Sequence, residues 1–339
     1  MTNFATSRDG SDLGRGYAIA LLSAAILSTT AIFIRYLTVE YLMPPLALAF
    51  WRDAFVALTL IVALRMIRPG LLGLERPHLP YLVLYGLALS VFNASWTLSV
   101  SLIGAALGTV LVYCSVAFTA LLGWWFLKER LYSPKLLAVA LCVAGCALVS
   151  GALGAATWHL SFLGVAAGIL SGLCYSIYSL MGRSASQRGL NPWTTVLYTF
   201  GFAAFFLLIF NLLTGKLMPA TGVRPGDLLW LGYAFAGWGL LFLLAAGPTV
   251  MGFGLYNLSL VYLPSSVANL IVTVEPVFTA AIAYSLLGER LTGMQMIGSV
   301  MIVGGVVFLR IHEGRAARSN RRRHTGGRAA AVSKEVPPV

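Results

Sequence analysis

Charge inside a long apolar run is costly and is kept mainly for function, so the ionisable residues buried in such runs come first. Three qualify: Arg52 and Asp53, about two turns into one run, and Glu275 in the middle of another. A carboxylate in a low-dielectric cavity is suited to taking up and releasing a proton, which would couple solute movement to a proton gradient. The adjacent Pro276 withholds a backbone donor and leaves the carbonyl of Val272 free, so an opened helix beside an acid is expected as a binding element. The plainer reading of Pro276 is a kink needed only for packing. Arg52 is placed to reach Glu275, to attract a substrate carboxylate, or to lock helices as an ion pair or snorkelling cation. Neighbours at i and i+1 point in different directions, so Arg52 and Asp53 need not pair with each other.

A second group is aromatic and amide. Asn93 with Trp96, Tyr175 with Tyr178, and Phe253 with Asn257 share helical faces at i, i+3 or i+4, and Tyr113 stands in a further run. In lipid, buried Asn and Tyr need partners and should face protein or a cavity. A cavity lined this way takes an amphipathic solute by stacking and a few polar contacts; the competing reading is helix–helix glue. Trp124 and Trp125, near a run's end, read as interfacial belt residues. Cys114, Cys142, Cys146 and Cys174 sit in apolar stretches without His or carboxylate neighbours, and small buried thiols are ordinary packing residues. No metal or cofactor is expected. The four histidines are scattered, and no HExxH, P-loop, nucleophile elbow or dinucleotide loop is present. A transporter rather than an enzyme is therefore expected.

The elements that must hold these residues follow from composition. Hydrophobic residues make up 59% of 339, charged residues 10%, and the mean hydropathy is +0.85. A soluble domain carries roughly 25% charged residues, so lipid is the solvent this chain requires. Runs of about 20 apolar residues fall near 16–37, 45–66, 80–100, 104–127, 134–151, 162–183, 193–213, 240–261, 265–287 and 293–311. Pro45, Pro80, Pro134, Pro192 and Pro264 stand at starts, where a missing N–H costs nothing. The stretch from Leu228 to Leu263 would reach about 54 Å as one helix. Either residues 228–238 lie in the interface or there is an eleventh crossing. With a cytoplasmic N-terminus, ten basic residues fall at inside ends and four at outside ends, placing both termini in the cytoplasm of a plasma membrane. The net charge of +12 comes largely from those loops and from a basic tail, residues 312–339, that reads as disordered and suited to anionic lipid rather than nucleic acid.

The chain also resembles itself. At an offset of 160, Phe118-Thr119-Ala120 falls on Phe278-Thr279-Ala280 and Glu129-Arg130-Leu131 on Glu289-Arg290-Leu291. Earlier, at an offset of 148, Gly16, Leu22-Ser23, Arg35 and Pro44 meet Gly164, Leu170-Ser171, Arg183 and Pro192. The offsets differ by 160 − 148 = 12, which puts an insertion between the seventh and eighth spans. Each half then has five spans, and an odd number forces opposite orientations. Inverted repeats place a substrate site between the halves near the midplane. Glycines of the fifth and tenth spans, Gly145, Gly151, Gly298, Gly304 and Gly305, suit close packing of those spans or a homodimer.

Taken together, Phe50-Trp51-Arg52, the two Glu-Arg-Leu motifs and Glu275-Pro276 in a five-plus-five pattern resemble the EamA-type members of the drug/metabolite transporter superfamily, over residues 15–311. The resemblance implies an all-α membrane protein of ten transmembrane helices, a 5+5 inverted repeat around a central cavity lined by spans 1, 3, 4, 6, 8 and 9. The expected parts are a cytoplasmic segment 1–15, repeats 16–151 and 162–311, and the tail 312–339. It further implies secondary active export of amino acids or related metabolites; uptake or exchange of a nucleoside-like compound is the alternative.

Overall fold

The computed structural model describes residues 10–103, 111–129, 131–149, 162–214, 228–287, 292–309, 311, 312 and 315. The second Glu-Arg-Leu motif (289–291), Arg130, the first nine residues and the tail beyond 315 lie outside them, as does the Arg35 side chain. The described residues are helical, without strands: α1 Gly10–Leu27, α2 Thr30–Glu40, α3 Pro45–Ile67, α4 Leu79–Ile103, α5 Ser115–Phe126, α6 Ser133–Val149, α7 Phe162–Gln187 and α8 Pro192–Thr214. Then come α9 Phe235–Leu244, α10 Val250–Tyr262, α11 Ser265–Val272, α12 Glu275–Leu287 and α13 Gly293–Leu309. Six spans are long and apolar enough to cross a bilayer, among them Asp12–Thr38 (α1 with α2) and Phe235–Tyr262 (α9 with α10). Four shorter apolar helices, Leu111–Phe126, Ser133–Leu148, Ser265–Thr279 and Gly293–Leu309, accompany them. This is the make-up of a multi-pass membrane protein.

Proline sets the starts as expected: Pro45 and Pro192 open α3 and α8, and Pro264 immediately precedes α11. The puzzling stretch resolves simply. Leu228–Ala234 is a short 3-10 and turn segment, and the helix begins at Phe235, earlier than the expected 240. Through Tyr262 it runs 28 residues, about 42 Å, with one π-helical turn, Ala245–Thr249, around Pro248. Three indole N–H groups tie this region down: Trp51 donates to the Leu228 carbonyl (2.6 Å), Trp230 to Tyr41 (2.9 Å) and Trp238 to Gly232 (3.1 Å).

The expected first span is interrupted. Ser28 and Thr29 bond back to the carbonyls of Ala25 and Ile26, both at 2.7 Å, competing with the helix ladder and ending α1 before α2 begins.

Helices from the two ends of the chain interleave. The most extensive packing joins α4 to α7, α1 to α10, α3 to α8 and α4 to α8. The core includes Tyr85, Tyr178, Tyr256, Phe200 and Leu260, all fully buried. α6 and α13 meet at Gly145, where a Cβ would stand 2.7 Å from the Gly298 carbonyl; Gly305 faces Cys142 across the same seam. Gly145, Gly298 and Gly305 thus pack within one chain, while Gly151 lies outside the described residues.

Candidate functional site

Two helix interruptions frame the centre of the molecule. After α11, Thr273 and Val274 form a turn, with the Val274 N–H on the Ile271 carbonyl (3.1 Å), before α12 starts at Glu275. The Val274 carbonyl then accepts from Val277 (3.0 Å) and Phe278 (3.2 Å). At Cys114 the same pattern recurs: its N–H reaches Leu111 (3.3 Å), and its carbonyl accepts from Ala117 (3.0 Å) and Phe118 (3.2 Å). All these positions are 160 residues apart, yet Val116 stands where Pro276 does. Proline therefore reinforces the second interruption, and the first forms without one.

Glu275 is partly exposed at the first turn of α12, where helix N–H groups favour a carboxylate. Tyr113 from before α5, Tyr175 from α7 and Cys146 from α6 lie beside it. The Thr279 hydroxyl, one turn on, donates to the Ser28 carbonyl (3.3 Å) at the interruption of α1. Tyr175 stacks on Tyr178 (centroids 6.1 Å, planes 6° apart) and packs on Phe92 (5.1 Å). Tyr178 meets Phe253 edge-on (5.8 Å) and accepts from Asn257 (2.9 Å), whose carbonyl oxygen accepts from Tyr85 (3.2 Å). The structure thus gathers Tyr113, Tyr175, Tyr178, Phe253, Asn257, Glu275 and Pro276. Asn257 and Tyr178 are buried and bonded, so they fasten helices beneath the partly exposed groups.

Arg52, Asp53 and Asn93 form a cluster that borders Tyr178. Arg52 Nε lies 3.1 Å from Asp53 Oδ1, and Asn93 Nδ2 donates to Asp53 Oδ2 at 2.9 Å. Sequence spacing did not require the neighbours to pair, but they do, because Asn93 fixes the acid and the long Arg stem folds back to it. Asp53 is wholly buried and Arg52 nearly so, and a buried pair held this way is costly to break. Trp96, partly exposed on α4, makes no ring contact or hydrogen bond with these groups among the described residues.

Two polar assemblies were not singled out from sequence. Asn269 on α11, fully buried, donates to Thr119 (2.8 Å) and Ser179 (3.3 Å) and accepts from Ser115 (3.3 Å), while Ser179 and Tyr256 share a 2.6 Å bond. An amide in the middle of an apolar run was the available signal, the same one that marked Asn93. The second is Glu129, noticed only as part of a motif. Its carboxylate accepts from the Ser265 N–H (2.7 Å) and hydroxyl (2.6 Å) and from the Ser266 N–H (3.3 Å) and hydroxyl, and it pairs with Lys135 at 3.6 Å. It caps the start of α11 from 136 residues away. Gly123 leaves the room: a Cβ there would lie 3.0 Å from Glu129 Oε2.

At that same end, Arg183 donates to the carbonyls of Leu260 and Val261, and Arg15 and Arg188 sit over the rings of Tyr262 (5.6 Å) and Tyr81 (4.4 Å). An apolar groove of about 600 Å³ lies elsewhere, between Ala57, Ile61, Val83, Phe202 and Phe206. The Tyr198 hydroxyl on its wall is bound to Leu72 (2.7 Å), so it presents little with which to orient a polar solute.

Comparison with known proteins adds to this geometry. The family model described as the EamA-like transporter family matches residues 14–151 and 162–311. An uncharacterized transporter of Archaeoglobus fulgidus is 27% identical over 86% of this chain and 95% of its own. An Escherichia coli protein named a probable amino-acid metabolite efflux pump is 28% identical over 78% of this chain and 85% of its own. The threonine/homoserine exporter RhtA of Salmonella typhimurium is 25% identical over 73% of this chain and 77% of its own. One crystal structure shares the fold, with a TM-score of 0.71 at 16% identity, covering 89% of this chain and 99% of that one.

Proposed function

The chain belongs to the EamA-like transporter family, and from that premise we propose that it is a secondary active exporter of amino acids or related small metabolites. It works as ten transmembrane helices in two inverted five-helix repeats, 16–151 and 162–311, with both termini in the cytoplasm of the plasma membrane. The observation that carries this reading is the matched pair of interruptions at Cys114 and Val274, with Glu275 at the second. Discontinuous helices at a repeat interface supply unpaired backbone groups and a polar foothold where a solute can bind. The packing supports the same arrangement. Exchange of the halves turns α4 against α7 into α10 against α1, and both contacts are extensive.

The site has two ends with different roles. The end closed by Glu129, Arg183 and Arg15 is the cytoplasmic gate, and alternating access requires those contacts to part. Glu275 carries the coupling proton, and Tyr113 and Tyr175 line the solute's place beside it. The names of the Escherichia coli and Salmonella typhimurium relatives support export and the amino-acid class. Reconstituted protein should move radiolabelled amino acids across liposomes, faster with an opposing proton gradient. No flux of any amino acid under either condition would remove the reading.

A further inference from the structure

This inference rests on the central group around Glu275 being the transport site, and it concerns which end of the solute that site reads. An amino acid carries an ammonium and a carboxylate, and a site built for the carboxylate offers a free cation or a helix start not already occupied by an acid. The intramembrane cation Arg52 is already paired with Asp53 at 3.1 Å, and Asn93 occupies the acid's other oxygen. Arg183 and Lys135 are buried at the closed end, engaged with the Leu260 and Val261 carbonyls and with Glu129.

Glu275 has the opposite surroundings. The titratable groups facing it are the phenols Tyr113 and Tyr175 and the thiol Cys146, from three different elements. Ser28 supplies only a backbone carbonyl to its helix, through Thr279. No Lys or Arg pairs with Glu275 among the described residues, and the residue is partly exposed while most of the preceding α11 is buried. A carboxylate flanked by phenols and with no Lys or Arg partner among the described residues is complementary to an ammonium group, by charge-assisted hydrogen bonding. The same site repels a carboxylate.

We propose that the solute is held by its ammonium end at Glu275, beside Tyr113 and Tyr175, and that no cation among the described residues clamps its carboxylate. Blocking the carboxylate then preserves binding, and blocking the amine abolishes it. Isothermal titration of the purified full-length protein in detergent tests this with six compounds: L-phenylalanine and L-threonine, each free, as the amide and N-acetylated. In at least one series the amide should bind within about threefold of the free amino acid and the N-acetyl form about tenfold or more weaker. Glu275→Gln should weaken the amide by about tenfold or more, and Glu275→Asp should restore much of it. An N-acetyl form binding as well as the amide, or amide binding indifferent to Glu275→Gln, overturns the assignment. Liposome flux of free amino acids with that reversed order removes the ammonium assignment alone. Failure of all six to bind, together with absent flux, removes the assignment and the transport reading.

Discussion

Glu275 and Glu129 are two interior carboxylates with different partners, and the partners decide their use. Glu275 is partly exposed among phenols, and under the proposed mechanism it carries the coupling proton. Replacing it by Gln should leave the fold intact and abolish the proton dependence of flux; flux still driven undiminished by a pH gradient would assign coupling elsewhere. Glu129 is saturated by two backbone amides, two hydroxyls and Lys135. Hydrogen bonds to a charged group are worth about 1.5–3 kcal/mol each, net of the bonds to water they replace. Glu129→Gln should therefore lower the thermal unfolding midpoint by several degrees in differential scanning fluorimetry. An unchanged midpoint would show that the cap does not hold the closed end. Of the two acids, only Glu275 stood out in the sequence, because a single acid amid apolar residues announces itself. The partners of Glu129 lie 136 residues away, a distance that local pattern does not bridge, and the Arg52–Asp53 pair depends on where Asn93 on another helix places its amide.

Among the elements, starts were readable and interruptions only half so. Proline marks where α3, α8 and α11 begin, since its fixed backbone angle suits a first turn. Pro276 likewise pointed to an opening before α12. The break between α1 and α2 was missed because one hydroxyl in a helix is unremarkable, whereas Ser28 and Thr29 bonding back together end it. The interruption at Cys114 carries no local signal and becomes visible only against its counterpart at Val274. The seam between α6 and α13 gives a direct contrast. A side chain at Gly145 would strike the Gly298 carbonyl, while one at Gly304 meets nothing within 4 Å. Gly145→Leu should cost about 1–3 kcal/mol of stability and Gly304→Leu almost none, as read from unfolding midpoints. Equal effects would mean that the seam is looser than described.

For the molecule as a whole, first-half helices bury themselves against second-half helices, and among the described residues the main core draws on both halves. The sequence suggested two halves through repeated residues at offsets of 148 and 160. Their interleaving was not legible, because offsets record ancestry and not contact. If the halves are inverted, positions related by the repeat face opposite sides of the membrane. Leu42, exposed after α2, and Leu190, after α7, are such a pair at the offset of 148. The native cysteines among the described residues are buried, apart from the half-buried Cys114. Leu42→Cys and Leu190→Cys, probed separately in intact cells with a membrane-impermeant maleimide, give the most direct test. The account predicts that the cysteine at 42 reacts from outside and the one at 190 only after the membrane is opened; reaction of both from the same side would contradict it.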